Sequence, residues 1–512
     1  LADAQPGRGS GLSDETVLAL LFGVTLVARA LAFPFTENLY GDAVVRTEIA
    51  EHWLAAPKFI TSFSDYVCQF GPLHTYYLAA FLKVWSNREV CSRLSSMVVG
   101  LLTIWPLYRL TLREFGRTAA IWAGLAFSLW GLHIQSSTTA GSEALGLCVF
   151  AFAVDALGEG LSSESFGPLA RSAFFLNLGC AVRYDLWLYV PLFTLAVAMW
   201  GTDRIASVTK AVMFAGLASV FPLFWMEGNE RALGDSLYPI HFIDQFHKTW
   251  TQSGIAWLGA PLMRLWGLVF WPGTLVLTLS PLYGLLCLAG MVRAFREKRH
   301  RMLAVFAVVP TLYFTCRAAV LLDFSPLARF TVSQVFLGIP YAYFGFTWFA
   351  DRWASWARRT AVIAVAAVGV ATPAIIAVMS YHVDSGWGNT LKPVSPVSTM
   401  PQIQMQVAHW LRDHVPAGES LVVDYDDAYT DIGVAFFSNI PEEHLVRSRW
   451  DDFPQRIAKN RARYLILLKK GKLLGRPEVK LEGAQLASYG IRYHRIQSFQ
   501  GDDFQVFEAD PG

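Results

Sequence analysis

Long stretches of this chain carry almost no charge, and the charge it has is crowded toward one end. Of its 82 Lys, Arg, Asp and Glu residues, 32 stand from Tyr381 onward, in the last quarter of the 512 positions. Before that point, apolar runs follow one another at the length a bilayer demands. A helical span needs about 20 apolar residues, with roughly 17–25 tolerated. By that measure about eleven spans are expected, over residues 17–33, 93–108, 118–134, 143–158, 169–183, 185–200, 208–226, 264–292, 302–322, 328–350 and 360–381. Charged residues make up 16% of the chain, against roughly 25% in soluble domains. A string of soluble domains is thereby excluded. The net charge of +2 is too balanced for a nucleic-acid partner. The cysteines show no CxxC or Cys/His ligand spacing.

Basic clusters orient the spans, because Lys and Arg stay on the cytoplasmic side. Arg293, Arg296, Lys298, Arg299 and Arg301 form the strongest cluster, Arg109, Arg113 and Arg117 another, and Arg352, Arg358 and Arg359 a third. Threading the spans through these anchors places residues 1–16 in the cytoplasm as a polar segment without signal-peptide features. Residues 17–381 form the membrane domain, with 34–92, 227–263 and 323–328 outside. Residues 382–512 then become a soluble extracytoplasmic domain. Leu73–Trp85 is apolar but too short to span, so the loop 34–92 is expected to carry helices lying on the membrane surface.

The tail reads as α/β. Met400–His414 has helical spacing, Ser420–Asp424 reads as a buried strand, and Asp451–Asn460 as a polar helix. Arg463–Lys469 is expected to be a second strand and Phe504–Glu508 a short edge strand. Asp424, Asp426, Asp427 and Asp431 read as a solvated acidic loop, with a divalent metal or acceptor contact as the alternative. In the loop 227–263, His241 and His247 lack a helical ligand spacing, and Trp250 and Trp257 read as interface anchors.

The first external loop opens Tyr40-Gly41-Asp42-Ala43-Val44-Val45-Arg46, with Ile49-Ala50 following. Asp42 and Arg46 share one helix face at the i, i+4 spacing. From spacing alone, Asp42 equally suits an N-terminal charge that complements the helix dipole. Further words follow in order: Phe70-Gly71-Pro72-Leu73-His74-Thr75-Tyr76-Tyr77, Ala140-Gly141-Ser142-Glu143-Ala144-Leu145, Ala181-Val182-Arg183-Tyr184-Asp185, and Leu327-Ala328-Arg329-Phe330 before Pro340. Together they resemble the GT-C superfamily of membrane glycosyltransferases. The likeness is to the bacterial branch related to protein O-mannosyltransferases and lipid A aminoarabinose transferases. Two departures stand out: Ala43 replaces a second acid, and Phe70 stands where some members place Lys. The Trp-Trp-Asp-Tyr-Gly word of oligosaccharyltransferases is missing, which argues against whole-glycan transfer to asparagine.

The resemblance implies a GT-C-like polytopic helical protein with an extracytoplasmic α/β domain, in a bacterial inner membrane. It also implies transfer of one sugar from a polyprenyl-phosphate donor to an acceptor hydroxyl, on a protein, lipid A or a glycan, with inversion. Displacement at the anomeric carbon leaves negative charge on polyprenyl phosphate, which arginines at the membrane rim can hold. The acceptor hydroxyl needs a base on the opposite face of the sugar. Asp42 is the expected base and Arg183 and Arg329 the expected phosphate ligands. Arg317, Glu143, Arg46, His74 and Tyr40 are the further substrate-binding candidates, with Asp185 and Asp323 as partners for the arginines. Without the resemblance, rim arginines are equally well read as snorkelling side chains. The rival reading, a transporter or flippase of lipid-linked sugars, would show paired repeats and polar groups at mid-bilayer. No repeat is visible, and most ionisable groups fall at the outer rim.

Overall fold

The protein is described from a computed structural model, covering residues 12–36, 41–67, 71–200, 203–382, 395–396, 402–416, 418–426 and 430–510. Contacts divide the chain into two compact units. One takes in Leu1–Glu37 with Arg46–Ser398, the other Asn38–Val45 with Thr399–Gly512.

The first unit is a helical bundle. Its opening helix, Asp14–Ala32, starts on Ser13, whose hydroxyl accepts the Thr16 N–H, and carries Asp14 and Glu15 in its first turn. Both devices suit a helix N-terminus, where backbone N–H groups lack partners and the dipole is positive. Beyond that turn it presents Leu20, Val27 and Leu31 outward, as a lipid-facing helix does. Among the described residues, six helices are long and apolar enough to cross a membrane: Asp14–Phe35, Arg88–Phe115, Glu143–Ser163, Ala260–Leu279, Arg301–Leu321 and Ser355–Ser380. Arg204–Ala218 with Val220–Leu233 would be a seventh, bent by 44°.

The other expected spans are shorter or interrupted. Residues 118–134 are served by Arg117–Ser128, and 185–200 by the apolar stretch Tyr184–Met199. The expected single span 264–292 is corrected to two helices, Ala260–Leu279 and Pro281–Glu297. Ser280, at φ 142°, makes the break, and its hydroxyl caps the second helix by accepting the Tyr283 N–H. Proline at the following position starts a helix more readily than it continues one. Pro72–Val84 is a 13-residue helix, as its short apolar run predicts.

Ion pairs and ring contacts sort the bundle's ends. Arg117 pairs with Asp14 at 3.0 Å, and Phe115 packs on His300 with ring centroids 4.6 Å apart. The start of the first helix thus shares one end with two of the basic clusters. At the opposite end of that helix, Arg93 bonds the Phe33 carbonyl, the Thr36 hydroxyl at 3.1 Å and the Thr138 carbonyl at 2.9 Å.

The second unit is built on a seven-stranded mixed sheet. Its strands are β1 (Leu421–Val423), β2 (Leu445–Arg447), β3 (Tyr464–Leu468), β4 (Val479–Glu482), β5 (Gln485–Ser488), β6 (Ile491–Phe499) and β7 (Phe504–Ala509), in the order β2-β1-β3-β7-β6-β5-β4. β2, β1 and β3 run parallel, joined through helices Thr430–Ser438 and Phe453–Asn460. The rest is antiparallel. β7 is corrected from an edge strand to an interior one, paired with β3 on one side and β6 on the other. Its first four residues are buried, as a strand covered on both faces requires.

The acidic residues after β1 are not a common solvated loop. Asp424 is fully buried, and its carboxylate accepts the N–H groups of Tyr425, Leu468 and Leu473 at 2.8, 3.1 and 3.0 Å. It knots the end of β1 to the turn after β3. Asp426 caps the next helix through Thr430, and buried Asp431 pairs with Arg449. Asp427 lies outside the described residues.

Candidate functional site

Glu143 is the first residue of helix Glu143–Ser163, at the end of the bundle where Arg93 ties Thr138 to Phe33. Arg183 meets it from the turn after helix Phe166–Cys180, with Nη1 donating to Glu143 Oε1 at 2.8 Å. The same guanidinium donates through Nε to Asp185 Oδ1 at 2.8 Å. Both sides of this Arg183 pairing are only about a tenth exposed. The stem of Arg183 runs over Gly146, where a Cβ would sit 2.7 Å from Arg183 Cδ. A larger residue at 146 would push the guanidinium off its carboxylates.

Arg329 enters from a short helical turn, Ala328–Thr331. The Phe330 ring lies 5.5 Å from the Arg329 guanidinium and 5.7 Å from that of Arg183. One aromatic ring thus serves two cations, a favourable arrangement for guanidinium groups. Arg46, almost wholly buried, completes the group, since Glu143 feels the charges of Arg183, Arg329 and Arg46, in that order. These named side chains set three guanidinium groups against the carboxylates of Glu143 and Asp185.

His74 sits in the first turn of helix Pro72–Val84, fully buried. It hydrogen-bonds the Gly141 backbone, while burial and the charges of Arg46 and Arg183 hold its imidazole neutral, well below the usual histidine range. Its place depends on a tight corner. The Leu73 N–H donates to the Ala181 carbonyl at 3.2 Å, and Gly71 lies so close that a Cβ would collide with that carbonyl. The Gly71-Pro72 corner is therefore seated on the turn that delivers Arg183. Gly71→Ala is expected to force this corner open at a cost of about 1–3 kcal/mol. Thermal unfolding of the detergent-purified chain measures it, and an unchanged midpoint would show the corner to be slack.

Arg317 is paired on both sides, with Asp244 at 3.0 Å and Asp323 at 3.1 Å. Its neighbourhood joins that of Arg329 through His247, which stacks on Phe324 at 4.0 Å and lies 5.4 Å from Phe330. Burial, then Arg329, lowers the His247 pKa to about 4. The spacing of His247 from His241 gave no hint of this role as a neutral ring beside an arginine. The helix Gly41–Ala55 carries Asp42 in its first turn, one turn before Arg46, and Asp42 is partly buried. Tyr40 lies outside the described residues. A cavity of about 240 Å³ lies at the opposite end of the bundle, lined by Glu114, Phe115, Trp200 and His300 among others. It holds none of the residues above.

Residues 69–226 match the family described as dolichyl-phosphate-mannose-protein mannosyltransferase. No curated protein matches the chain. Among solved structures, ArnT from Cupriavidus metallidurans bound to undecaprenyl phosphate is similar, with a TM-score of 0.59 at 14% identity. That match covers 98% of this chain and 100% of the other. The Archaeoglobus fulgidus oligosaccharyltransferase, solved with Zn and sulfate, matches with a TM-score of 0.53 at 13% identity, over 88% of this chain and 67% of its own. The chain thus shares the fold of these two proteins.

Proposed function

We propose that this chain is a membrane glycosyltransferase that moves one sugar from a polyprenyl phosphate to an acceptor hydroxyl outside the cytoplasm, with inversion. The observation that carries the reading is the gathering of Arg46, Arg183 and Arg329 around Glu143. A lipid phosphate at a membrane rim calls for such a cluster. Undecaprenyl phosphate in the similar ArnT structure supports a donor of the same class. On this reading the acceptor oxygen attacks the anomeric carbon, the bond to the phosphate oxygen breaks, and polyprenyl phosphate departs with the electron pair. Arg183 and Arg329 hold the leaving phosphate, with Arg46 adding charge. Glu143 and Asp185 aim the Arg183 fork, Arg317 is a further guanidinium held between Asp244 and Asp323, and neutral His74 packs against the Gly141 backbone. Asp42 takes the acceptor proton.

The acceptor is a hydroxyl of a protein, lipid A or another glycan, and the setting is a bacterial inner membrane with the cluster on its outer face. Charge-assisted hydrogen bonds contribute about 1.5–3 kcal/mol each. Arg329→Ala should therefore weaken binding of polyprenyl-phosphate donor roughly 10- to 100-fold. Equilibrium binding with radiolabelled donor tests this, and unchanged affinity would leave Arg329 a structural role only.

A further inference from the structure

We infer that Val44, seated in an apolar cluster with helices Gln402–His414 and Thr430–Ser438, sets the direction of the Asp42 carboxylate by holding the first turn of its helix. The inference rests on the reading of Asp42 as the base. Although far apart in sequence, Asn38–Val45 and Thr399–Gly512 form one compact unit. Val44 is the knob: only 1% exposed, it lies in one apolar cluster with Met405, Ala408, Phe436 and Phe437. Met405 and Ala408 come from helix Gln402–His414, and the two phenylalanines from helix Thr430–Ser438. The rings of Phe436 and Phe437 stand 5.0 Å apart, almost perpendicular, and Phe436 is fully buried.

The first turn of a helix is its weakest part, since its N–H groups have no intrahelical partners. Here it begins on Gly41, the residue with most backbone freedom to lose. Such a turn frays unless something outside the helix fixes it. Successive helical residues are about 100° apart, so Asp42 and Val44 project in nearly opposite directions. Seating Val44 among the phenylalanines therefore fixes the rotation of the turn and with it the direction of the Asp42 carboxylate. A general base must lie within about 2.6–3.2 Å of the proton it takes, and a misplacement of about 1 Å can cost 10²-fold in rate. Val44, Phe436 and Phe437 are positioning residues: they act on the reaction through Asp42.

The test is steady-state transfer by full-length protein, with donor affinity measured separately, for Val44→Ala, Phe436→Ala, the double variant, Val44→Ile and Asp42→Asn. Val44→Ala and Phe436→Ala should each lower kcat about 10- to 100-fold with donor affinity unchanged. The double variant should lose little more than either alone, because both remove one contact, and Val44→Ile should retain activity. Should Phe436→Ala fail to fold, Val44→Ala decides, since Val44 lies outside the chain segment that builds the sheet. Unchanged kcat in Val44→Ala beside an inactive Asp42→Asn overturns the inference and leaves the base reading standing. Equal losses of donor affinity and kcat overturn it too, by showing general damage. An active Asp42→Asn overturns the base reading itself.

Discussion

Asp42→Asn is expected to reduce sugar transfer at least 10²-fold while donor binding survives. The substitution is nearly isosteric and removes only the ability to take a proton, which contributes typically 10²–10⁴-fold. Donor affinity should hold, because the substitution leaves the proposed phosphate ligands Arg183 and Arg329 in place. Ala43 stands where a second carboxylate would otherwise follow, so the loop offers no adjacent acid to take over. Purified protein with radiolabelled donor separates the two steps, and retained turnover would remove Asp42 from the role.

Much of the candidate site was legible because charge in an apolar chain is conspicuous. Arg183, Glu143 and Arg329 stand at the ends of apolar runs, and the fold gathers them at one end of the bundle. The short helix Pro72–Val84 was readable for a similar reason, its run being too short to span. Three features were hidden because they depend on partners far away in sequence. The break at Ser280 sits inside an unbroken apolar run and shows only as a backbone angle. β7 looks like an edge strand because nothing local announces that β3 and β6 flank it. Asp424, Asp426 and Asp431 read as one acidic loop, yet the fold gives them a strand knot, a helix cap and a buried ion pair. The apolar cluster that joins Val44 to Met405, Ala408, Phe436 and Phe437 is of the same kind. Alternation and charge reveal which face of an element is apolar, but not which distant element covers it.

Arg183→Ala should have the largest effect on the membrane unit, and its outcome separates binding from architecture. Arg183 bridges Glu143 and Asp185 at 2.8 Å each, with all three side chains almost wholly buried. Deleting the guanidinium leaves two carboxylates facing each other without their shared cation. Breaking a buried pair in this way costs about 3–5 kcal/mol, so a lower unfolding midpoint is expected along with loss of donor binding. That alone would not distinguish a phosphate ligand from a structural arginine. Adding Glu143→Gln removes one of the stranded charges and should recover much of the stability, because an amide tolerates burial far better than an unpaired carboxylate. Donor binding should stay lost in the double variant, since no guanidinium returns to meet the phosphate. If the double variant instead binds donor as the parent does, Arg183 serves only to neutralise Glu143, and the phosphate site must be sought around Arg329 and Arg46.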